Sequence, residues 1–251
     1  SKQYDISVRN LAHAYTNDTQ TMWNGILGKM VLQAKDKTYI DELRLTPDVD
    51  NKKINVMVKT KNNASGKLLF SVKEPNGKKL PEKEIQLQGN ETTFDYSIND
   101  PQLWDEFNPN IYKATVSLTT ENSTDTNTET FGMPKITTNN ALLLINDKRL
   151  FLRGTLECCI FPLKGYPPTD KAGWKKVCAS ALDYGMNHIR FHSWCPPKSA
   201  FEVADEMGIY LQAELPVWEY NIGADKPSVD FLYEEAANIM KEYGNHPSFC
   251  F

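Results

Sequence analysis

The chain changes its hydrophobic rhythm near residue 137. Before that point apolar and polar residues alternate with period two, in runs at Tyr39–Leu45, Ile54–Thr60, Lys67–Lys73, Ile85–Gln88, Thr92–Ile98 and Ile111–Thr119. Alternate side chains of a strand face opposite ways, so each run has one face to bury. Turn-forming clusters separate the runs: Pro47-Asp48, Asn62-Asn63, Pro75-Asn76-Gly77, Gly89-Asn90 and Asn99-Asp100-Pro101. Short strands at this spacing predict an all-β sandwich over residues 36–136. The tract Thr119–Thr130, rich in Thr, Asn and Glu, is predicted to be a solvated hairpin tip with its flanking edge residues. Residues 1–35 hold two strand-like runs, Tyr4–Val8 and Lys29–Gln33, around a polar loop. Two strands do not bury a face alone, so this piece either packs on the next domain or ends another one.

From 137 onward the period lengthens. A hairpin is predicted from Leu142–Ile145 and Leu150–Arg153 around Asn146-Asp147-Lys148. Trp174, Val177, Cys178, Ala181 and Leu182 then recur at i, i+3, i+4, i+7 and i+8, which is an amphipathic helix, followed by Gly185 as its stop. A second helix follows Pro196-Pro197, with proline suited to the first turn, and ends at Gly208. A third takes Ser228 as its N-cap, carries Leu232, Ala236, Ile239, Met240 and Tyr243 on one face, and ends at Gly244. Phe249-Cys250-Phe251 starts a further strand. Strands alternating with helices predict a parallel sheet over 137–251.

Polar residues gather at the ends of these strands. They read Arg153, Thr155, Glu157; then His188, Arg190, His192; then Tyr210, Gln212, Glu214, with apolar residues between them. In a closed β/α barrel the inward residues at the C-terminal strand ends form the active site. The segments that follow add Trp194, Trp218 and Glu219. The pocket candidates are therefore Arg190, His192, Trp194, Glu214, Glu157, Trp218 and Glu219. Paired carboxylates suit glycoside cleavage, in which one carboxyl donates a proton and another acts as nucleophile or base. An arginine beside a carboxylate holds it ionised. Tryptophan offers an apolar ring face to sugar C–H groups. The same residues also fit a plainer reading, as internal ion pairs and packing.

Composition narrows the field. The 251 residues include 11 Tyr, 11 Phe and 5 Trp and are 40% hydrophobic, enough for real cores. A net charge of −4 argues against nucleic acid as partner. No apolar run approaches the roughly 18 residues of a membrane span. The four histidines show no metal-binding spacing, no phosphate-cradling glycine motif occurs, and no cofactor or metal is expected. The five cysteines, Cys158, Cys159, Cys178, Cys195 and Cys250, are read mainly as small buried hydrophobes, with a Cys158–Cys195 disulfide left open.

Several motifs together resemble glycoside hydrolase family 2, which includes β-galactosidases, β-glucuronidases and β-mannosidases. Trp23-Asn24-Gly25-Ile26-Leu27-Gly28 resembles the close of that family's jelly-roll sugar-binding domain. Leu103-Trp104 through Asn108-Pro109-Asn110-Ile111-Tyr112 resembles a signature of its immunoglobulin-like domain. Ile145-Asn146-Asp147-Lys148-Arg149-Leu150-Phe151-Leu152-Arg153-Gly154 resembles the hairpin opening its TIM barrel. Asn187-His188-Ile189-Arg190, Asp205-Glu206-Met207-Gly208-Ile209 and Asn245-His246-Pro247-Ser248 resemble segments around the second, third and fourth barrel strands.

The resemblance implies a multidomain chain, all-β plus α/β. Residues 1–35 would be the tail of the jelly-roll domain, 36–136 an immunoglobulin-like β-sandwich, and 137–251 the first half of a TIM (β/α)8 barrel. It implies a retaining hydrolase of terminal β-glycosidic bonds, with a carbohydrate substrate and a periplasmic or extracellular parent. Arg190 matches the second-strand arginine near the nucleophile, and Glu214 the third-strand acidic residue. The family's two catalytic glutamates fall beyond Phe251 in this reading, so the 251 residues alone are expected to be inactive. They are also expected to self-associate through 137–251, or to be partly disordered there. Departures are visible. The family's Arg-x-Ser-His-Tyr-Pro is here Arg190-Phe191-His192-Ser193-Trp194-Cys195-Pro196, and its Asn-Arg-His-Glu is replaced by Thr155-Leu156-Glu157-Cys158-Cys159. These leave the sugar open. The alternative reading is a non-catalytic carbohydrate-binding or adhesion module built on the sandwich.

Overall fold

A computed structural model describes residues 25–28, 30–62, 65–87, 89–220, 222–224 and 226–251. The chain forms two compact units. One comprises Val31–Leu150 and Gly244–Pro247; the other comprises Phe151–Tyr243 and Ser248–Phe251, with the described part of the first thirty residues.

The first unit is a β-sandwich. Strands β1 (Tyr39–Asp48), β2 (Lys53–Lys61) and β5 (Glu91–Ser97) form one antiparallel sheet in the order β1-β2-β5. Strands β3 (Gly66–Lys73), β4 (Lys83–Gln86), β6 (Tyr112–Thr120) and β7 (Thr124–Phe131) form the other, in the order β4-β3-β6-β7. The period-two pattern holds at the level of single residues. Ile54, Val56 and Val58 of β2 are buried with Leu68, Phe70 and Val72 of β3 and Ala114, Val116 and Leu118 of β6. Phe70 sits at the centre, edge-on to Phe94 (5.4 Å between ring centroids) and Tyr96 (5.2 Å).

A small sheet extends this unit, formed by β8 (Ile136–Asn139), β9 (Leu142–Ile145) and β10 (Lys148–Arg149) in the order β10-β9-β8. The β9–β10 turn is Asn146-Asp147, both at positive φ, as the tightest hairpins require. Asn146 ties the turn down. Its side chain donates to the Trp104 carbonyl (3.1 Å) and accepts from the Lys135 amide (3.0 Å). Gly132 is needed for close approach, because a Cβ there would lie 2.6 Å from Pro247 and 3.0 Å from Trp104. Asn245 donates to the Leu43 carbonyl and accepts from the Leu45 amide, both at 2.8 Å.

The second unit is a parallel sheet with helices. Its order is β11 (Gly154–Glu157), α1 (Lys171–Asp183), β12 (His188–Phe191), α2 (Lys198–Met207), β13 (Tyr210–Gln212) and α3 (Lys226–Tyr243). The sheet runs β11-β12-β13, and Phe249 adds a single parallel bridge beside Leu211. Ile189, Phe191 and Leu211 pack against Trp174, Cys178, Phe201 and Ala204 of the helices. Asp170 caps α1 by accepting from the Gly173 amide (2.8 Å), and Gly208 ends α2 in the left-handed conformation. Asn187 fastens the entry of β12 to the segment before β11. Its side chain accepts from the Arg153 amide (2.7 Å) and donates to the Phe151 carbonyl (3.1 Å). Buried Asp205 accepts from the Ser248 amide (3.0 Å) and so positions the last strand segment.

Some expectations change. Thr119–Thr130 is only in small part a hairpin tip, since Thr124–Phe131 is the full edge strand β7, paired along β6. Its alternation is between polar residues, which hides the strand from a hydrophobic pattern. Strand β8 was not foreseen either. Residues 30–33, within the strand expected over Lys29–Gln33, form no strand and leave Met30, Val31 and Leu32 exposed, with no neighbouring strand to pair with among the described residues. The run Tyr4–Val8 lies outside the described residues, as does most of the segment 1–35. Ser228 is not an N-cap: α3 begins at Lys226, and Ser228 is buried inside its first turn. Pro197 is the N-cap of α2, one position ahead of the expected first turn.

The parity of the sandwich can be tested directly. Phe70→Ala should cost about 3–5 kcal/mol by opening a cavity in a dry core. Leu69→Ala, one residue away on the outer face, should cost less than about 1 kcal/mol. Urea unfolding followed by circular dichroism measures both, and equal costs would refute the assignment of faces.

Candidate functional site

The register of the parallel sheet decides which side chains share a face. Leu156 lies opposite Arg190, and Arg190 opposite Gln212; Glu157 lies opposite Phe191. In-register neighbours in a sheet point the same way. Arg190, Gln212 and Leu156 therefore line one face, while Glu157 and Thr155 share the helix-packed face of Phe191 and Ile189. The expectation that Glu157 joins Arg190 on a common polar face fails by one residue. The physical reason is that Leu156, which is apolar, stands on the open face and is 51% exposed.

The open face is organised around Glu214, just past the end of β13. One carboxylate oxygen accepts from Arg190 Nε at 2.5 Å and the other from the Ser193 amide at 2.8 Å. The same carboxylate thus fixes the Arg190 guanidinium and the turn after β12. That turn is strained, with Ser193 at φ +54°. The Ser193 hydroxyl donates to the His192 carbonyl (2.7 Å) and lies 3.0 Å from His192 Nδ1. The His192 ring is buried and stacks flat on Trp218, 4.4 Å between centroids and 8° from parallel. Arg190, His192, Glu214 and Trp218 thus form one connected cluster at the C-terminal end of the sheet. Glu219 follows Trp218 and is partly exposed. Buried His188 lies lower on the same strand, and burial together with the Arg190 charge pushes its pKa down.

Trp194 departs from this cluster. It is 2% exposed and packs among Trp174 and Phe191, with its indole N–H directed to the Glu157 carbonyl (3.4 Å). It is a core residue, not a ring offered to a ligand.

Glu157 occupies a setting of its own. Its carboxylate accepts from the Cys159 amide (3.0 Å) and from the Ile160 amide, across a turn in which Cys159 has φ +59°. Burial is the largest influence and raises its pKa to about 7, against the two amides and the Trp194 indole, which lower it. All five cysteines are free thiols, so the Cys158–Cys195 disulfide does not form. Burial pushes the Cys178 and Cys195 thiols up to about 12, which leaves them protonated and inert at neutral pH.

A cleft of about 800 Å³ opens elsewhere, between the 160–170 loop and α1, lined by Phe161, Leu163, Tyr166, Pro168 and Val177. Its one carboxylate, Asp170, is engaged as the α1 cap. The charged cluster at the strand ends lies outside the lining of this cleft. Among the described residues no His, Cys, Asp and Glu cluster could hold a metal ion, and no helix is long and apolar enough to cross a membrane.

Residues 38–133 match the family described as Glycosyl hydrolases family 2. The chain is 26% identical over 238 residues to a β-galactosidase of Thermoanaerobacterium thermosulfurigenes, covering 90% of this chain and 33% of that protein. It is 25% identical over 258 residues to a β-galactosidase of Vibrio vulnificus (strain YJ016), covering 94% and 25%. The chain thus spans a quarter to a third of the length of these relatives. Its fold is similar to a solved Bacteroides uniformis β-glucuronidase, with TM-score 0.73 and 18% identity over 85% of this chain and 28% of that one. A solved Parabacteroides merdae β-glucuronidase gives TM-score 0.69 and 20% identity, covering 84% and 28%.

The setting of Glu157 carries a pH dependence. A carboxyl whose folded pKa lies above its ordinary 4.5 favours the protonated fold. Its contribution is most favourable below about pH 4.5, declines as pH rises through about 7, and is constant above. Each tenfold change in a protonation equilibrium is worth roughly 1.4 kcal/mol. Discounted for partial solvent access, Glu157→Gln should stabilise the second unit by about 1–3 kcal/mol at pH 8. Near pH 5 the difference should largely vanish. Guanidinium unfolding at the two pH values tests this, and an equal effect at both would show that Glu157 is not the titrating group.

Proposed function

We propose, for a chain that belongs to glycoside hydrolase family 2, that it forms part of a longer retaining hydrolase of terminal β-glycosidic bonds in oligo- or polysaccharides. In this reading the sandwich is the immunoglobulin-like domain, and the parallel sheet is the first half of a TIM barrel whose mouth is the Arg190 face.

The observation that carries the reading is the Arg190–Glu214–Ser193 clamp. Glu214 spends both carboxylate oxygens on protein donors, so it serves as a positioning residue and not as proton donor or nucleophile. Its negative charge fixes the Arg190 guanidinium by Nε alone, which leaves the terminal Nη groups for another acceptor. A cation held this way at a barrel mouth stabilises a neighbouring carboxylate in its ionised, nucleophilic form. The sheet's two other strand-end carboxyls are not placed as its partner. Glu157 faces the helices, and Glu219 lies beyond the sheet. We therefore infer that these 251 residues supply the supporting wall of the pocket and lack the reacting pair.

The test has two arms. The longer protein should hydrolyse a nitrophenyl β-glycoside with retention of configuration, and Arg190→Ala should lower kcat about 100-fold or more while the fold survives. Arg190→Lys should recover little, because a lysine cannot present the guanidinium's planar set of donors. The 251-residue chain should show no turnover above background. Absence of hydrolysis by the longer protein across gluco-, galacto-, manno- and glucurono-configured glycosides would overturn the reading.

A further inference from the structure

We propose that Trp218 and Tyr220 form a sugar-binding lip beside the Arg190 cluster, so that the whole protein acts on the end of a glycan chain in preference to a small glycoside. The proposal rests on the reading of the strand ends as a carbohydrate site, and it adds the class of substrate.

Three observations converge on the segment that leaves β13. Among the described tryptophans, Trp104, Trp174 and Trp194 are at most 2% exposed, whereas Trp218 is 38% exposed. Two residues on, Tyr220 is 82% exposed. Single exposed apolar residues are ordinary, but two large aromatic rings within three residues at the C-terminal end of a parallel sheet mark a place where ligands bind.

Trp218, secondly, is not a loose side chain. One of its faces is taken by the buried His192 ring, stacked at 4.4 Å. His192 is in turn held through Ser193, whose amide is bound by Glu214. The indole plane is therefore set before any ligand arrives, and binding costs little further ordering of it.

The third observation is chemical. Between the two rings in sequence, Glu219 carries a carboxylate that makes no hydrogen bond or ion pair with another described residue. Aromatic faces suit the C–H face of a pyranose, and a carboxylate accepts from its hydroxyls. A lipid surface would not call for the carboxylate, and a nucleic acid would be repelled by it.

The experiment compares kcat/KM of the longer protein on β-linked tetrasaccharides (cello-, xylo-, manno- and galacto-series) with that on the nitrophenyl glycoside of the same terminal sugar. The tetrasaccharide should exceed the nitrophenyl glycoside by about tenfold for the matching series. Tyr220→Ala and Trp218→Ala should each lower that ratio by about fivefold or more. A ratio near one, or a ratio that neither substitution moves, overturns the lip while leaving the glycosidase reading intact. Failure to hydrolyse any of the glycosides overturns the glycosidase reading instead. The lip is then judged by binding alone, as protection of tryptophan fluorescence from iodide by a tetrasaccharide, lost in Trp218→Phe. No protection, or a Trp218 already shielded from iodide without sugar because another part of the protein covers it, overturns the proposal.

Discussion

The in-register pairing of β11 with β12 governs the second unit. A parallel strand has no freedom to choose faces residue by residue: once Leu156 stands opposite Arg190, Glu157 must stand opposite Phe191. One carboxyl is thereby sent into the helix-packed layer, where burial lifts its pKa. Another, Glu214, stays on the open face, where it accepts from Arg190 and the Ser193 amide. Two glutamates close in the fold thus occupy opposite electrostatic settings because of a period of two. Shifting β11 by one residue would bring Glu157 to the open face and put Leu156 into the core.

The motifs that suggested a family act mostly as structural ties. Asn187 bonds the segment before β11 through both ends of its amide, Asn146 joins a hairpin to the Trp104 segment, and Asp205 receives the amide of Ser248. Gly132 is small because Trp104 and Pro247 lie against it. A short polar side chain that satisfies two backbone groups cannot be replaced by an apolar residue without leaving those groups unpaired. Such residues specify how segments distant in sequence meet.

Much of the fold was legible because the sandwich core is built from aliphatic residues at alternate positions, as in Ile54, Val56 and Val58. The helices were legible from a heptad-like stripe such as Trp174, Cys178 and Ala181. The strand β7 was hidden because its inward residues are themselves polar or half-buried, so alternation carries no hydrophobic signal. At the strand ends, Arg190, His192, Glu214 and Trp218 lie in one cluster. Glu157 and Trp194 were misplaced. For Glu157 the error was one of phase: a four-residue strand offers two parities, and a charged end residue suggested the wrong one. For Trp194, a position just after a strand is compatible with either the pocket or the core, and only the packing against Trp174 and Phe191 decides between them.

The polar composition of β7 has a meaning for the molecule. The strand ends a sheet, so one row of its amides and carbonyls faces outward with no further strand beside it among the described residues. An aliphatic strand in that position would recruit identical edges from neighbouring chains. Here the edge offers Thr, Asp, Asn and Glu, whose charges and hydration oppose stacking of one sandwich on another. The tract that looks least like a strand is thereby an edge whose side chains oppose pairing with a second copy.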